Sequence, residues 1–214
     1  MTHFIELTNV SKTIKNQQIL NNINLSLDAG KAYGFIGRNG SGKTMLFKAV
    51  CGLITPSSGT VFVGGKQIGK DIDFPERTGI IIEQPGLVPY MTALDNLRMF
   101  ALVQKHINDR KIVETLELLG LDPSSRKKVH SFSLGMKQRL AIAQAIMEDP
   151  ELLVLDEPMN SLDREGVDLV KRILLDRLDR GCTLLLSSHI SGDIEELCPV
   201  IFEMNGGILS ERKK

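Results

Sequence analysis

Residues 32–53 read AYGFIGRNGSGKTMLFKAVCGL. A short apolar run gives way to a glycine-rich turn, and the turn to a segment whose apolar residues recur at helical spacing. In that context Gly37-Arg38-Asn39-Gly40-Ser41-Gly42-Lys43-Thr44 fits the pattern GxxxxGK[ST]. Glycines in such a loop let backbone N–H groups turn inward and approach phosphate oxygens closely. The helix that follows points its positive end at the same anion. Lys43 supplies a point charge for the β- and γ-phosphates, and the Thr44 hydroxyl can ligate Mg²⁺. Gly37, Asn39, Gly40, Ser41, Gly42, Lys43 and Thr44 are therefore the expected nucleotide-binding residues. A glycine turn that merely caps a helix is the bland alternative, and the strand before and helix after speak against it. The loop says "nucleoside triphosphate" and little about the task, since kinases, GTPases and motor ATPases share it.

Outward from the loop, residues 1–30 alternate between apolar and polar around a turn-forming KNQQ, which predicts antiparallel strands. TVFVGGKQI reads as another strand pair. RTGIIIE (77–83), LLVLDEP (152–158) and TLLLSSH (183–189) read as buried strands, and 165–181 as an amphipathic helix ending at a glycine. VIFEMNGGIL holds a hairpin around Asn205-Gly206. Apolar strands alternating with helices imply an α/β fold with a mostly parallel sheet covered on both faces. A helical stretch at about 88–148, with helices in 92–121 and a strong helix at 136–147, interrupts the alternation and is expected to form a lobe of its own. The whole of 1–214 reads as one domain.

Leu152–Leu155 runs straight into Asp156 and Glu157. A strand ending in an acid puts that carboxylate at the carboxyl edge of the sheet, beside the phosphate loop. Asp156 is expected to hold Mg²⁺ through water, and Glu157, one residue on, to face an attacking water as general base. A base next to a metal-holding Asp suits hydrolysis better than transfer to an organic acceptor. On its own the pair reads equally well as a helix cap.

The bulk composition narrows the class. Of 214 residues, 42% are hydrophobic and 24% charged, ordinary for a globular protein. Lys plus Arg and Asp plus Glu number 26 each, so no excess of basic charge argues for nucleic-acid binding. The basic clusters Arg126-Lys127-Lys128 and Arg212-Lys213-Lys214 read as solvated surface. Cys51, Cys182 and Cys198 are scattered, with no CxxC spacing, and read as buried thiols. The N-terminus lacks the pattern of a signal peptide, and nowhere do about 18 apolar residues run together to span a membrane.

Ser133-Leu134-Gly135-Met136-Lys137-Gln138-Arg139 opens a long helix upstream of Asp156. Ser133 suits an N-cap and Gly135 permits close backbone approach to an anion. Here the sequence resembles the ATP-binding-cassette (ABC) ATPase family, whose signature is LSGGQ followed by a basic helix start. Phe132–Met136 stands in that slot as FSLGM, keeping the serine and second glycine and departing at Leu134 and Met136. The wording is similar to small bacterial exporter ATPases of the bacitracin-resistance and lantibiotic-immunity type.

The resemblance implies a P-loop NTPase core, an N-terminal antiparallel β subdomain and a helical signature subdomain. It implies ATP and Mg²⁺ as cofactors, and two chains meeting head to tail, a second copy or a paralogous ATPase. Each nucleotide would then lie between one chain's Lys43 loop and the other's Ser133–Gly135 segment. Gln84, after the GIII strand, matches the glutamine that contacts Mg²⁺ and senses the membrane partner. Asp163, in Asn160-Ser161-Leu162-Asp163, matches the loop touching the opposite subunit. His189 matches the histidine at the γ-phosphate. Read alone, Gln84 is a solvated strand end, Asp163 a helix cap and His189 incidental; together, and in order, they support the family. Ile14 stands where the family often places an aromatic that stacks on adenine, so adenine selectivity is expected to be weaker or supplied elsewhere.

With no membrane span of its own, the chain is expected to power separate integral membrane permease subunits from the cytoplasmic face of the cell membrane. Residues 85–100, PGLVPYMTALDNLRMF, are the expected docking surface. The short tail after His189 leaves no room for the regulatory domain of many importers, which favours export. The alternatives are a soluble ABC ATPase that remodels a non-transporting partner, and a phosphate-loop kinase, which would have no use for the Ser133 segment.

Overall fold

The computed structural model describes residues 3–104, 107–189 and 191–212; Lys213 and Lys214 of the basic tail lie outside it. The chain opens with β1 (Ile5–Ile14) and β2 (Gln17–Leu27), an antiparallel hairpin turning at Lys15-Asn16. Both turn residues have positive φ, 47° and 65°. That is the two-residue geometry whose twist matches the flanking strands. Next come β3 (Ala32–Ile36), α1 (Lys43–Val50), β4 (Ser58–Val63), β5 (Lys66–Gln67) and β6 (Thr78–Ile81). The helical stretch follows as α2 (Ala93–Gln104), α3 (Asp109–Leu118), a single helical turn at Val129–Ser131 and α4 (Leu134–Ile146). The chain finishes with β7 (Leu152–Leu155), α5 (Arg164–Asp179), β8 (Thr183–Ser188), α6 (Ser191–Glu195), β9 (Val200–Asn205) and β10 (Ile208–Glu211). The α/β alternation expected from the sequence is present. The short α6 and the turn at 129–131 carry too few residues to show a period, and the pattern reading missed them.

Two sheets form: a four-stranded antiparallel one in the order β2-β1-β4-β5, and a six-stranded one in the order β10-β9-β3-β8-β7-β6. In the larger sheet β9, β3, β8, β7 and β6 run parallel, and β10 closes one edge antiparallel. The last hairpin turns at Gly206-Gly207, one residue beyond the Asn205-Gly206 expected; both glycines have positive φ.

Alternation explains why the parallel strands read as unbroken apolar runs. Leu152, Val154, Leu185 and Phe35 face one cluster with α1 and the antiparallel sheet. Leu153, Leu155, Leu184 and Leu186 face the other, with α4, α5 and the helical stretch. A strand covered on both faces has no solvent side to make polar. Each fully buried aliphatic side chain of this kind contributes about 1.5–3 kcal/mol by leaving water. Phe35 meets Phe47 edge-on at 5.2 Å and stacks on Phe202 at 5.4 Å, fixing α1 against the sheet beneath the phosphate loop.

Cys51, Cys182 and Cys198 are buried and unpaired, as expected. Burial pushes their thiols up to about 12, 11 and 12 respectively, which keeps them protonated and unreactive at neutral pH. Among the described residues no helix is long and apolar enough to cross a membrane.

Candidate active site

Strand order builds the site. β8 lies between β3 and β7, so the carboxyl ends of all three meet at one edge. β3 delivers the glycine loop, β7 delivers Asp156 and Glu157, and β8 delivers Ser187, Ser188 and His189. This is the crevice at the carboxyl ends of parallel strands where ligands of such sheets bind.

The loop is tight where the sequence has glycine. A Cβ on Gly37 would sit 2.3 Å from the Met204 carbonyl oxygen. Gly42 caps α1 with φ 115° and ψ −1°, a conformation open to glycine and costly for other residues. Lys43 is 6% exposed, and its ammonium donates to the Gly37 carbonyl at 2.6 Å, drawn across the mouth of its own loop. Ser41 Oγ is buried without a hydrogen-bond partner among the described residues. Buried hydroxyls are normally satisfied, so this one marks a place for a polar ligand.

Five residues form a hydrogen-bonded chain along the strand ends. Thr44 Oγ1 donates to Asp156 Oδ2 at 2.6 Å. Ser187 Oγ donates to Asp156 Oδ1 and accepts from the Glu157 backbone N–H at 2.9 Å. Glu157 Oε2 faces His189 Nδ1 at 2.7 Å and accepts the His189 backbone N–H at 3.2 Å. A carboxylate oxygen can only accept, so the imidazole proton sits on Nδ1. Glu157 Oε1 is buried with no hydrogen-bond partner among the described residues, 3.8 Å from Lys43 Nζ. Glu157 also holds φ 52°, a left-handed conformation unusual for a non-glycine residue and costing of order 1–3 kcal/mol. The strain turns the side chain away from the strand direction and across to His189 and Lys43.

These groups could bind a triphosphate and its metal. The loop N–H groups, Lys43 and Ser41 offer donors to phosphate, while the hydroxyl of Thr44 and the carboxylate of Asp156 are the hard oxygen ligands Mg²⁺ takes. A cleft of about 450 Å³ runs along the loop. It is bounded by Arg38, Asn39, Lys43, Asp156 and Glu157, and by Gln17 and Ile19 of β2.

Other expected residues sit apart from this cluster. Ser133 is the N-cap of α4, its Oγ accepting from the Met136 N–H at 3.2 Å; Leu134 beside it is 69% exposed. Gly135 packs on the Ser161 carbonyl oxygen, which a Cβ would approach to 3.1 Å. Asp163 caps α5 through the Gly166 N–H at 2.8 Å and pairs with Arg139, so the bland cap reading holds for this residue within the chain. Gln84 is exposed beyond the end of β6 and outside the hydrogen-bonded cluster. Ile14 ends β1 and does not line the cleft, where Gln17 and Ile19 stand instead. The sequence reading missed those two residues and Ser187. Ser187 had one signal: a hydroxyl in an otherwise apolar strand, two residues before a histidine.

Comparison with known proteins adds what geometry cannot. A family model described as ABC transporter matches residues 20–160. The chain is 45% identical to the uncharacterized ABC transporter ATP-binding protein YybJ of Bacillus subtilis, over 98% of its own length and 96% of the relative's. It is 40% identical to the bacitracin transport ATP-binding protein BcrA of Enterococcus faecalis, over 99% of its length and 69% of the relative's. A solved structure described as the ATP-binding subunit of an ABC transporter matches with a TM-score of 0.87 at 25% identity, covering 97% of this chain and 90% of the other.

Proposed function

This chain belongs to the ABC transporter ATP-binding family, and from that premise we propose that it binds and hydrolyses Mg-ATP between two head-to-tail cassettes, powering export through separate membrane subunits. The observation that carries the hydrolytic part is Glu157 Oε1: a buried carboxylate oxygen without a hydrogen-bond partner among the described residues, beside Lys43 and one residue from the Thr44–Asp156 pair. An acceptor kept free next to a phosphate cradle is what a water-activating base requires.

In this reading the loop N–H groups and Lys43 hold the β- and γ-phosphates. Thr44 and Asp156 would hold Mg²⁺, with Gln84 reaching it from outside their hydrogen-bonded cluster, and the ion would supply neutralisation of charge on the phosphates. Glu157 Oε1 takes the proton of the attacking water while Oε2 stays anchored on His189. Ser187 positions both acids at once, through the Asp156 carboxylate and the Glu157 backbone. His189, with its proton on Nδ1, keeps Nε2 available on its other side for the reaction centre.

Ser133 and Gly135 stand at a helix start outside their own chain's hydrogen-bonded cluster. A two-fold pair would bring each such segment to the other chain's nucleotide and give two equivalent sites. Asp163 lies in the segment that would meet the opposite subunit. The name of the bacitracin transport relative supports the transport reading, and Tyr90, 77% exposed in the segment expected to meet a membrane partner, supports the docking. We place the working complex at the cytoplasmic face of the cell membrane on that basis.

The test is purification of the tagged chain from its own cell. An integral membrane subunit that co-purifies, together with phosphate release from Mg-ATP, supports the proposal. A soluble partner instead would support the remodelling alternative. Phosphate transferred to an organic acceptor would support a kinase.

A further inference from the structure

A groove of about 540 Å³ lies between α3 and α5 and shares no residue with the cleft at the phosphate loop. On α3 it is lined by Lys111, Glu114, Thr115 and Leu118. On α5 it is lined by Leu169, Arg172, Ile173, Asp176, Arg177 and Arg180. Both sets recur at spacings of three and four, so one face of each helix looks into the groove. Facing stripes of two helices ordinarily interdigitate and close. Here Leu118, Leu169 and Ile173 supply an apolar lining, and four cations stand with them.

The acids nearby do not balance those cations. Glu114 pairs with Arg110 at 2.8 Å, and Asp176 with Arg180 at 2.9 Å. Asp149, just beyond α4, is shared by Lys111 at 2.7 Å and by Arg177. Among the described residues Arg172 has no ion-pair partner; its Nε reaches only the Asp168 carbonyl, at 3.4 Å. Five cations, Arg110 included, thus meet three acids, which leaves two positive charges over in a chain whose basic and acidic residues number 26 each. Arg177 adds a second sign. It is only 5% exposed, and its Nε is buried without a hydrogen-bond partner among the described residues. Buried donors are normally satisfied, so this one marks a place for an acceptor. Helix stability does not explain the whole set. Arg177 in the last turn of α5 suits the helix dipole, but Lys111 stands in the first turn of α3, the end that disfavours a cation.

Guanidinium forks match the paired oxygens of phosphate. A phosphate monoester carries about −1.5 to −2 charges near neutral pH, which complements the two positive charges left over. The groove has the volume of a site for an organic molecule, well above that of a single inorganic ion, and its apolar lining offers contact to an organic body. A ligand held by both Lys111 and Arg172 would tie α3, in the helical stretch, to α5.

We propose that the groove between α3 and α5 is a second binding site, separate from the nucleotide cleft, for an organic phosphate monoester, with Lys111, Arg172 and Arg177 holding the phosphate. The test is a titration of the isotope-labelled full chain with phenyl phosphate, followed by nuclear magnetic resonance, which reports both the affinity and the residues that respond. Saturable shifts are expected in residues 111–118 and 169–180. Phenyl sulfate, the same shape with one charge, should bind at least about threefold more weakly. Arg172→Gln changes an exposed side chain and should leave the thermal melt unchanged. It should weaken phenyl phosphate by about tenfold, the loss of one charge-assisted contact. Co-sedimentation with vesicles containing phosphatidic acid separates two sources of the same chemical group. Retention of the parent chain that Arg172→Gln loses assigns the phosphate to a lipid headgroup; any other result assigns it to a soluble ester. Absence of shifts in the groove, or shifts confined to residues 37–44, would overturn the proposal. So would equal affinity for phenyl sulfate, or undiminished affinity in Arg172→Gln. Each of these failures leaves the function proposed above standing, since the two sites have no residue in common.

Discussion

Replacing Glu157 by glutamine separates the two jobs the site assigns to one side chain. The substitution keeps the shape and removes the charge. Among the described residues Oε1 has no hydrogen-bond partner to lose, and the contacts of Oε2 with His189 can be kept by an amide oxygen. What disappears is the proton acceptor. Loss of a general base costs about a hundred- to ten-thousand-fold in turnover. At about 1.4 kcal/mol per decade, that is roughly 3–5.5 kcal/mol of barrier. Binding should move the other way. Lys43 Nζ and Glu157 Oε1 are 3.8 Å apart and both mostly buried. At an effective dielectric of about 20, the attraction between them is of order 4 kcal/mol. In the parent protein that attraction holds the ammonium toward the acid, and the same carboxylate repels an incoming γ-phosphate. Glu157→Gln should therefore bind Mg-ATP at least as tightly as the parent while releasing almost no phosphate. A fluorescent-nucleotide titration and a phosphate-release assay on one preparation measure both quantities. Size-exclusion chromatography with Mg-ATP should show the variant as a stable two-chain species. Hydrolysis at the parental rate would refute the base assignment. An affinity more than about tenfold weaker would refute the electrostatic part.

Three further outcomes follow from the same geometry. Lys43→Ala should weaken Mg-ATP binding by about ten- to a hundredfold, the loss of a charge-assisted contact, in the same fluorescence titration; unchanged affinity would contradict the cradle. Ser133→Arg should block nucleotide-dependent pairing, seen by size exclusion, and leave binding by the single chain nearly intact; equal loss of both would mean that Ser133 acts within its own chain. Gly79→Ala should destabilise the fold without touching the cleft: its Cβ would lie 1.9 Å from the Ala145 carbonyl oxygen and 2.8 Å from Leu153 Cδ2. Overpacking of that kind costs about 1–3 kcal/mol, or roughly 2–12 °C in melting temperature for a domain of this size; an unchanged thermal melt would show that α4 can move off β6 freely.

The readable and unreadable parts of the site divide along one line. Glycine loop, Lys43 and Thr44 are contiguous, as are Asp156 and Glu157, so residue type and spacing were enough to find them. Their convergence was legible too, since a strand that ends in an acid and a strand that ends in a glycine loop share the carboxyl edge of a parallel sheet. Ser187 was not legible in this way. Its importance depends on β8 lying between β3 and β7, and alternation along the chain does not order strands across a sheet. Gln17 and Ile19 were hidden for a related reason: they belong to the other sheet, and only the docking of the β1–β2 hairpin onto the loop brings them to the cleft. Asp163 shows the reverse. A cap and an interface residue use the same chemistry at a helix start, and within one chain only the cap is visible.

α4 gives the proposed pair a physical link between its two sites. Its first turn carries Ser133 and Gly135, which would face the partner's nucleotide. One turn later, Gln138 donates through Nε2 to the Pro158 carbonyl at 2.9 Å, and Pro158 directly follows Glu157. Arg139 adds an ion pair to Asp163 at 3.3 Å, at the far end of the same loop. Gly135 packs on Ser161 in its middle. The start of α4 and the segment from Glu157 to Asp163 are therefore joined at three points within one chain. A residue assigned to one nucleotide and a segment assigned to the other cannot shift independently while those contacts hold. The helix is also anchored in the apolar core through Leu140, Ile142 and Ile146, all buried. A change in how Glu157 sits when phosphate leaves would reach Ser133 of the same chain through that contact set, and thereby the neighbouring site. In the proposed pair, two half-sites built on one helix would make hydrolysis at either nucleotide an event felt by both chains.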